Sequence, residues 1–324
     1  MLTGGIIVDR VPKDGTPSDL SGLLDKYSLT EKQLFQIKKH LVRIAHDAGK
    51  MMLETQPLLG GSDTKKNSAD RVTESDKAIE KMVKDSLEKR YPDILFVGEE
   101  SFRHGDRLTD APTFVCDPID GTLNFIHGFP NFAISLALTI GKMPVVGVVY
   151  NPLREDLFTA IKNQGAEFKP MGKKSMRLPV QAEGPLAALS DCLVAIEWGS
   201  QREGPNWDLR TSTAMQLLTS KSDGGAMAHS VRSNGSSALD FCYVAAGYFD
   251  CFWEGGAWIW DICAGWLILE EAGGMVAGAN PGDWSPTLEG RSYFAIRQAE
   301  RTKQEGLVKE LWGLVGDRKF DFAA

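Results

Sequence analysis

The chain has 324 residues, 43% of them hydrophobic and 24% charged, with a formal net charge of −7. That is ordinary globular composition, enough for one large domain or two medium ones. The acidic balance argues against nucleic acid as a partner, and the lack of an apolar run of about 18 residues argues against a membrane-spanning helix.

Residues 1–29, with Gly, Pro and Asp scattered through them, read as an irregular N-terminal arm ahead of a single domain over 30–324. Its opening, "MLTGGIIVDRVPKDG", lacks the basic, apolar and small-residue order of a signal peptide. Thr30 and Gln33 form a capping-box pattern, and Leu34, Ile37, Leu41, Ile44, Ala48 and Met51 follow at helical spacing. Residues 60–76 are polar and Gly-rich, a loop or loose hairpin. A second helix carries Ile79, Met82, Val83 and Leu87 on one face, and Pro92 stops it. "ILFVGEES" (94–101) and "TFVCDPI" (113–119) read as buried strands. "AISLALTI" and "MPVVGVVYNP", split by Gly141-Lys142, read as a hairpin, followed by strands at "DLFTAI" and "GAEFKP". Residues 30–184 thus read as helices on a mainly antiparallel sheet.

From residue 185 to 324 strand and helix patterns alternate, as in a layered α/β half. "CLVAIEW", "YFDCFWE" and "SYFAIR" read as strands. Helices are expected over 206–220, over 235–247, over 260–274 and near 303–315. The cysteines (Cys116, Cys192, Cys242, Cys251 and Cys263) are odd in number, lie mostly in apolar segments and show no CxxC spacing. They read as reduced core thiols of a cytoplasmic protein.

Acids punctuate the ends of these elements. Glu99 and Glu100 close one strand, Asp117 and Asp120 another, and Asp76 and Asp261 open helices. Taken singly, an Asp at a helix start is most often a cap, and "DPIDG" a turn. Gathered, they would repel one another unless a cation held them. The donors are all oxygen, which suits magnesium, manganese or calcium better than zinc or copper. Two carboxylates three apart can face two neighbouring ions, the layout of two-metal phosphoryl chemistry. After Asp120, "GTLNF" can begin a short helix whose N–H groups take phosphate oxygens, with Gly121 allowing close approach and Thr122 offering a hydroxyl.

"GEES" (98–101), "DPIDGTLNFIHGFP" (117–130) and "WDICAGWLILEEAGG" (260–274) resemble the inositol monophosphatase family over roughly residues 34–315. "DRVTESD" (70–76) and "RSNGSSALDFCYVAAGYFDCFWEGG" (232–256) support the likeness. The resemblance implies a layered α-β-α-β-α sandwich of the sugar phosphatase type, of mixed α+β and α/β character. It also implies two or three Mg2+ per site, sensitivity to lithium, a homodimer, and a small phosphorylated cyclitol or sugar as substrate.

By that resemblance Glu99, Asp117 and the carbonyl of Ile119 form one metal site, and Asp117, Asp120 and Asp261 a second. Glu99 and the Thr122–Asp76 pair activate water. The Gly121 and Thr122 N–H groups cradle phosphate. Gly235, Ser236, Ser237, Glu254 and Asp261 meet the substrate, with Lys65 nearby. Arg71, Ser237 and Trp258 depart from the common pattern and bear on substrate identity. The alternatives are an adenosine 3′,5′-bisphosphate or fructose 1,6-bisphosphate phosphatase, and a non-catalytic sugar-phosphate-binding relative.

Overall fold

The computed structural model describes residues 20–55, 62–64, 71–103, 105–181 and 184–322, with backbone only for 62–64 and 71–73. The described chain begins with α1 (Leu20–Lys26) and α2 (Glu31–Glu54). A small antiparallel hairpin, β1 (Ser62–Thr64) and β2 (Arg71–Thr73), leads into α3 (Glu74–Arg90). Seven strands then form one sheet in chain order: β3 (Leu95–Gly98), β4 (Thr113–Asp120), β5 (Ala133–Ile140), β6 (Met143–Asn151), β7 (Asp156–Ile161), β8 (Gly165–Lys169) and β9 (Met176–Arg177). A short helix, α4 (Thr122–His127), interrupts them after β4.

The remainder runs β10 (Leu193–Ile196), α5 (Gly204–Leu218), β11 (Ser230–Arg232), α6 (Ser237–Ala246), β12 (Cys251–Gly255) and α7 (Ile259–Glu271). It closes with β13 (Met275–Gly278), β14 (Ser292–Ile296) and α8 (Arg301–Val315). Its five strands lie in the order β11-β10-β12-β14-β13, parallel around β10 and antiparallel around β14.

Three apolar clusters define the layers. One joins α1, α2 and α3 to the first face of the seven-stranded sheet, through residues such as Leu34, Leu41, Ile79 and Leu136. The second holds α6 and α7 between the two sheets. The third packs α5 and α8 on the outer face of the smaller sheet. The result is the expected α-β-α-β-α sandwich. All ten residues of α6 are buried, as a helix with a sheet on either side requires.

Strand β5 shows how its sequence selects its neighbours. Ile134, Leu136, Leu138 and Ile140 point to the α2–α3 side. Ala133 and Ala137 face α7, where small side chains let the helix sit close. The Ser135 hydroxyl donates to the Trp260 carbonyl at 2.9 Å and pins the start of α7. On β6, a Cβ at Gly147 would lie 2.8 Å from the Ala264 carbonyl oxygen. Gly147→Ala is therefore expected to lower stability by about 2 kcal/mol through overpacking. Urea denaturation checks this, and an unchanged midpoint would show that α7 can retreat.

The structure differs from the sequence reading in several elements. Residues 20–26 are helical, not irregular, because Leu20 and Leu24, one helical turn apart, add to the core under α2. The first pair of the large sheet, β3 and β4, is parallel. "DPID" is not a turn; β4 runs through it to Asp120 with a bulge, and the chain turns at Gly121. The short strands β9, β11 and β13 carry too few residues for a pattern to show. All five cysteines are buried and free.

Candidate active site

Topology brings the acids together. Because β3 and β4 are parallel and Gly98 pairs with Cys116, the residues that follow, Glu99 and Asp117, emerge side by side at one sheet edge. In a regular strand Asp117 and Asp120 would face opposite sides. Asp117 pairs with Ser135 and Asp120 with Ala133, so β4 carries one extra residue between them. That bulge, at a proline with no N–H to give the ladder, re-aims the second carboxylate toward the first. Asp261, in the first turn of α7, completes the group. Carboxylate oxygens of Asp117, Asp120 and Asp261 all lie within 4.8 Å of one another. Glu99 stands beside this trio, close enough for its charge to bear on all three.

Burial and mutual repulsion disfavour ionisation here. Burial, then the charge of Glu99, Asp120 and Asp261, holds the Asp117 carboxyl well above the usual carboxylate range. Asp120 is raised by burial and by Asp261, against the pull of the Ser236 hydroxyl and the Ala238 N–H. Asp261 is raised to about 7 by burial and Glu99, opposed by the Trp258 N–H, Asp117 and Arg291. Three all-oxygen donors forced together at this cost fit a hard divalent cation, which would remove the repulsion.

Local hydrogen bonds fix each donor. The Ile119 N–H donates to Asp117 Oδ1 at 3.0 Å. Ser236 Oγ and the Ala238 N–H both donate to Asp120 Oδ2, the latter at 2.9 Å. The Trp258 N–H donates to Asp261 Oδ2 at 2.6 Å. Asp261 thus also serves its helix start, from the third helical position and not as the N-cap itself.

Thr122 Oγ1 lies 3.3 Å from Asp76 Oδ1 and 3.1 Å from the Ile119 carbonyl oxygen, with one proton to give. Asp76 is buried in the first turn of α3, so α3 and the start of α4 meet at this pair. Gly121 has φ +90°, and a Cβ there would lie 2.7 Å from the Gly235 carbonyl oxygen. Both the left-handed backbone and the close approach require glycine. The Gly235–Ser236–Ser237 turn therefore lies against the start of α4, and Ser237 Oγ donates to Glu254 Oε1 at 3.0 Å. Burial, then Asp261, raises the Glu254 carboxyl well above its usual range.

Lys65 lies outside the described residues, as does the Arg71 side chain. Trp258 stacks on Trp260, ring centroids 5.3 Å apart, with the Arg291 guanidinium 3.4 Å over its ring. Cys116 and Cys263 are fully buried in the apolar clusters.

Sequence reasoning missed the supports. Glu80 is buried on α3, accepts the Glu100 N–H at 2.7 Å, and fills the space where Gly98 lacks a side chain. An acid on the apolar Ile79–Val83–Leu87 face was the available signal. Asn124 and Asn131 donate to the Asn234 carbonyl at 2.6 and 2.9 Å, tying the two halves together across more than 100 residues. No local pattern announces such a contact.

A layered α+β fold with converging carboxylates at strand and helix ends defines an all-oxygen cluster that could hold a metal ion. A model of the inositol monophosphatase family matches residues 33–315. The chain is 45% identical over 255 residues to inositol monophosphatase 2 of Saccharomyces cerevisiae, covering 77% of this chain and 84% of that one. It is 43% identical over 265 residues to inositol monophosphatase 1 of the same yeast, covering 80% and 88%. Among solved structures, the extragenic suppressor protein suhB of Bartonella henselae superposes with a TM-score of 0.70 at 30% identity, covering 85% of this chain and 98% of that one. The chain belongs to the inositol monophosphatase family, a metal-dependent family, and is a phosphatase.

Proposed function

We propose that this chain is a magnesium-dependent phosphomonoesterase that releases phosphate from myo-inositol monophosphate or a related sugar phosphate. The observation that carries the reading is the convergence of Asp117, Asp120 and Asp261 beside Glu99, next to the Thr122–Asp76 pair. The yeast relatives' names support the substrate class.

Glu99, Asp117, Asp120, Asp261 and the Ile119 carbonyl would hold two or three magnesium ions. Bound there, magnesium supplies Lewis acidity to phosphoryl oxygens and makes water more acidic. With the Ile119 carbonyl holding a cation, the Thr122 hydroxyl would donate its hydrogen bond to Asp76. Its oxygen would be left to accept a proton from water, with Glu99 as the second acceptor. The Gly121 and Thr122 N–H groups orient the phosphate. Among the described residues, Glu254 Oε2 is buried without a hydrogen-bond donor, which suits it to a substrate hydroxyl beside the 235–237 turn. The same reading includes residues 30–324 working as one unit, a homodimer, inhibition by lithium and a cytoplasmic setting. The five free, buried cysteines support the last of these.

The test is phosphate release from myo-inositol 1-phosphate, fructose 1,6-bisphosphate and adenosine 3′,5′-bisphosphate, each with and without magnesium. Magnesium-dependent release favouring the inositol ester is expected. Preference for either bisphosphate would overturn the substrate class and keep the chemistry. Release that ignores magnesium and chelator would overturn the metal reading.

A further inference from the structure

Beneath the 233–237 loop lie two buried acids that the proposed chemistry does not use. Glu197 follows β10. Its Oε1 accepts the N–H groups of Asn234 at 2.6 Å and Gly235 at 2.8 Å, and its Oε2 accepts the Ser233 hydroxyl at 3.1 Å. Asp240, in α6, is fully buried, and its Oδ1 accepts from Asn234 Nδ2 at 2.7 Å. Its Oδ2 meets no N–H or hydroxyl donor among the described residues. Both carboxyl groups converge on Asn234, Glu197 at its backbone N–H and Asp240 at its side-chain amide, and the charge of Glu197 bears on Asp240. Two buried carboxylates this close can only accept and repel, whereas one proton between them would satisfy Asp240 Oδ2.

The proton has a preferred home. Glu197 already takes three donors, which favour its charged form; Asp240 takes one. Burial first, and then the charge of Glu197, lifts Asp240 well above the usual carboxylate range. The loop N–H groups pull Glu197 back against its own burial. Glu254 also bears on Asp240, and the buried Arg210 guanidinium on Glu197 and Glu254.

The loop held by this pair reaches three parts of the site. Ser236 holds Asp120, the Gly235 carbonyl meets Gly121, and Ser237 holds Glu254. We propose that Glu197 and Asp240 are positioning residues, a carboxylate and a carboxylic acid sharing one proton, that set the 233–237 loop and through it Asp120 and Glu254. What the loop positions rests on the phosphatase reading above; the shared proton does not.

The test is a double-mutant cycle. In Asp240→Asn the new amide donates to Glu197 in place of the proton. In Glu197→Gln the amide oxygen keeps the two loop N–H groups and the NH2 donates to an ionised Asp240. The Glu197→Gln/Asp240→Asn double variant sets two NH2 groups against each other. Each single variant is expected to keep kcat/KM within about fivefold of wild type, and the double to lose about a hundredfold, beyond the product of the two, with a raised magnesium requirement. Losses that simply multiply would overturn the pair. Infrared spectroscopy gives a readout that needs neither turnover nor the double variant. At pH 8 Asp240→Asn should delete one protonated-carboxyl band that magnesium leaves untouched in wild type. A spectrum unchanged by Asp240→Asn would refute the shared proton even if the enzyme proved active on every ester tried.

Discussion

Asp117→Asn is expected to lower kcat by at least about a thousandfold on whichever ester the wild-type enzyme turns over, while raising the melting temperature of the metal-free protein. The two halves of this result have one cause. Asp117 is the residue shared by both sets of donors that the resemblance implies, and the bulge in β4 aims it at Asp120 and Asp261. Without a cation its charge is a liability, held off by burial and by three neighbouring acids. Asparagine keeps the shape and the oxygen that accepts the Ile119 N–H, and offers an NH2 in place of a charge beside Asp120 and Asp261. The fold loses a repulsion and the site loses a ligand. Steady-state phosphate release and calorimetry, each with and without magnesium, read both effects. An Asp117→Asn protein that is folded and active would remove Asp117 from the metal site. One that melts lower without metal would show that the trio is already neutralised by something other than shared protons.

How much of this was legible in the sequence depends on distance along the chain. Asp117, Asp120, Gly121 and Thr122 fall within six residues, so their types and spacing could be weighed together. Asp76 and Asp261 were found because each stands at a helix start, a position with its own local signature. The adjacency of Glu99 and Asp117 was implied by the family resemblance but not legible in any local pattern. It depends on the parallel pairing of β3 with β4, at the edge of an otherwise antiparallel sheet that suggests the opposite. The bulge was hidden for a similar reason, since Asp-Pro followed by Asp-Gly reads as a turn whether or not a neighbouring strand holds it extended. The supports were the least visible. Glu197 acts on residues 36 to 38 positions away and Asn124 on one 110 away. Only a finished fold brings such partners together, and a buried acid that accepts backbone N–H groups looks in sequence like any other Glu.

Metal-free protein is expected to lose stability as pH rises from about 7 to 8.5, and saturating magnesium to abolish most of that loss. The sign follows from which state holds more protons. Asp261 is raised to about 7 in the folded state, and Asp117, Asp120 and Glu254 stand well above their usual range. Unfolded, the same groups ionise near pH 4. Between those limits the folded state carries protons the unfolded one has lost. Their contribution is therefore full below the unfolded values and is lost as pH climbs through the folded ones, at about 1.4 kcal/mol per proton and pH unit. His40 and His46 work the other way. Burial lowers both from 6.5, so they add stability as pH rises toward that value and nothing beyond it. Above pH 7 the acids stand alone, which is why the window is read there. Magnesium bound as proposed would displace these protons, bind more tightly as pH rises, and at about a hundredfold over its Kd contribute about 2.7 kcal/mol. Melting curves at several pH values, with chelator or with magnesium, decide the matter. A chelated protein that grows more stable from pH 7 to 8.5 would mean that these carboxylates are already ionised and paired, and the cation would lose its structural argument. If instead a small downward slope survives saturating magnesium and disappears in Asp240→Asn, it belongs to the Glu197–Asp240 pair, which no cation reaches.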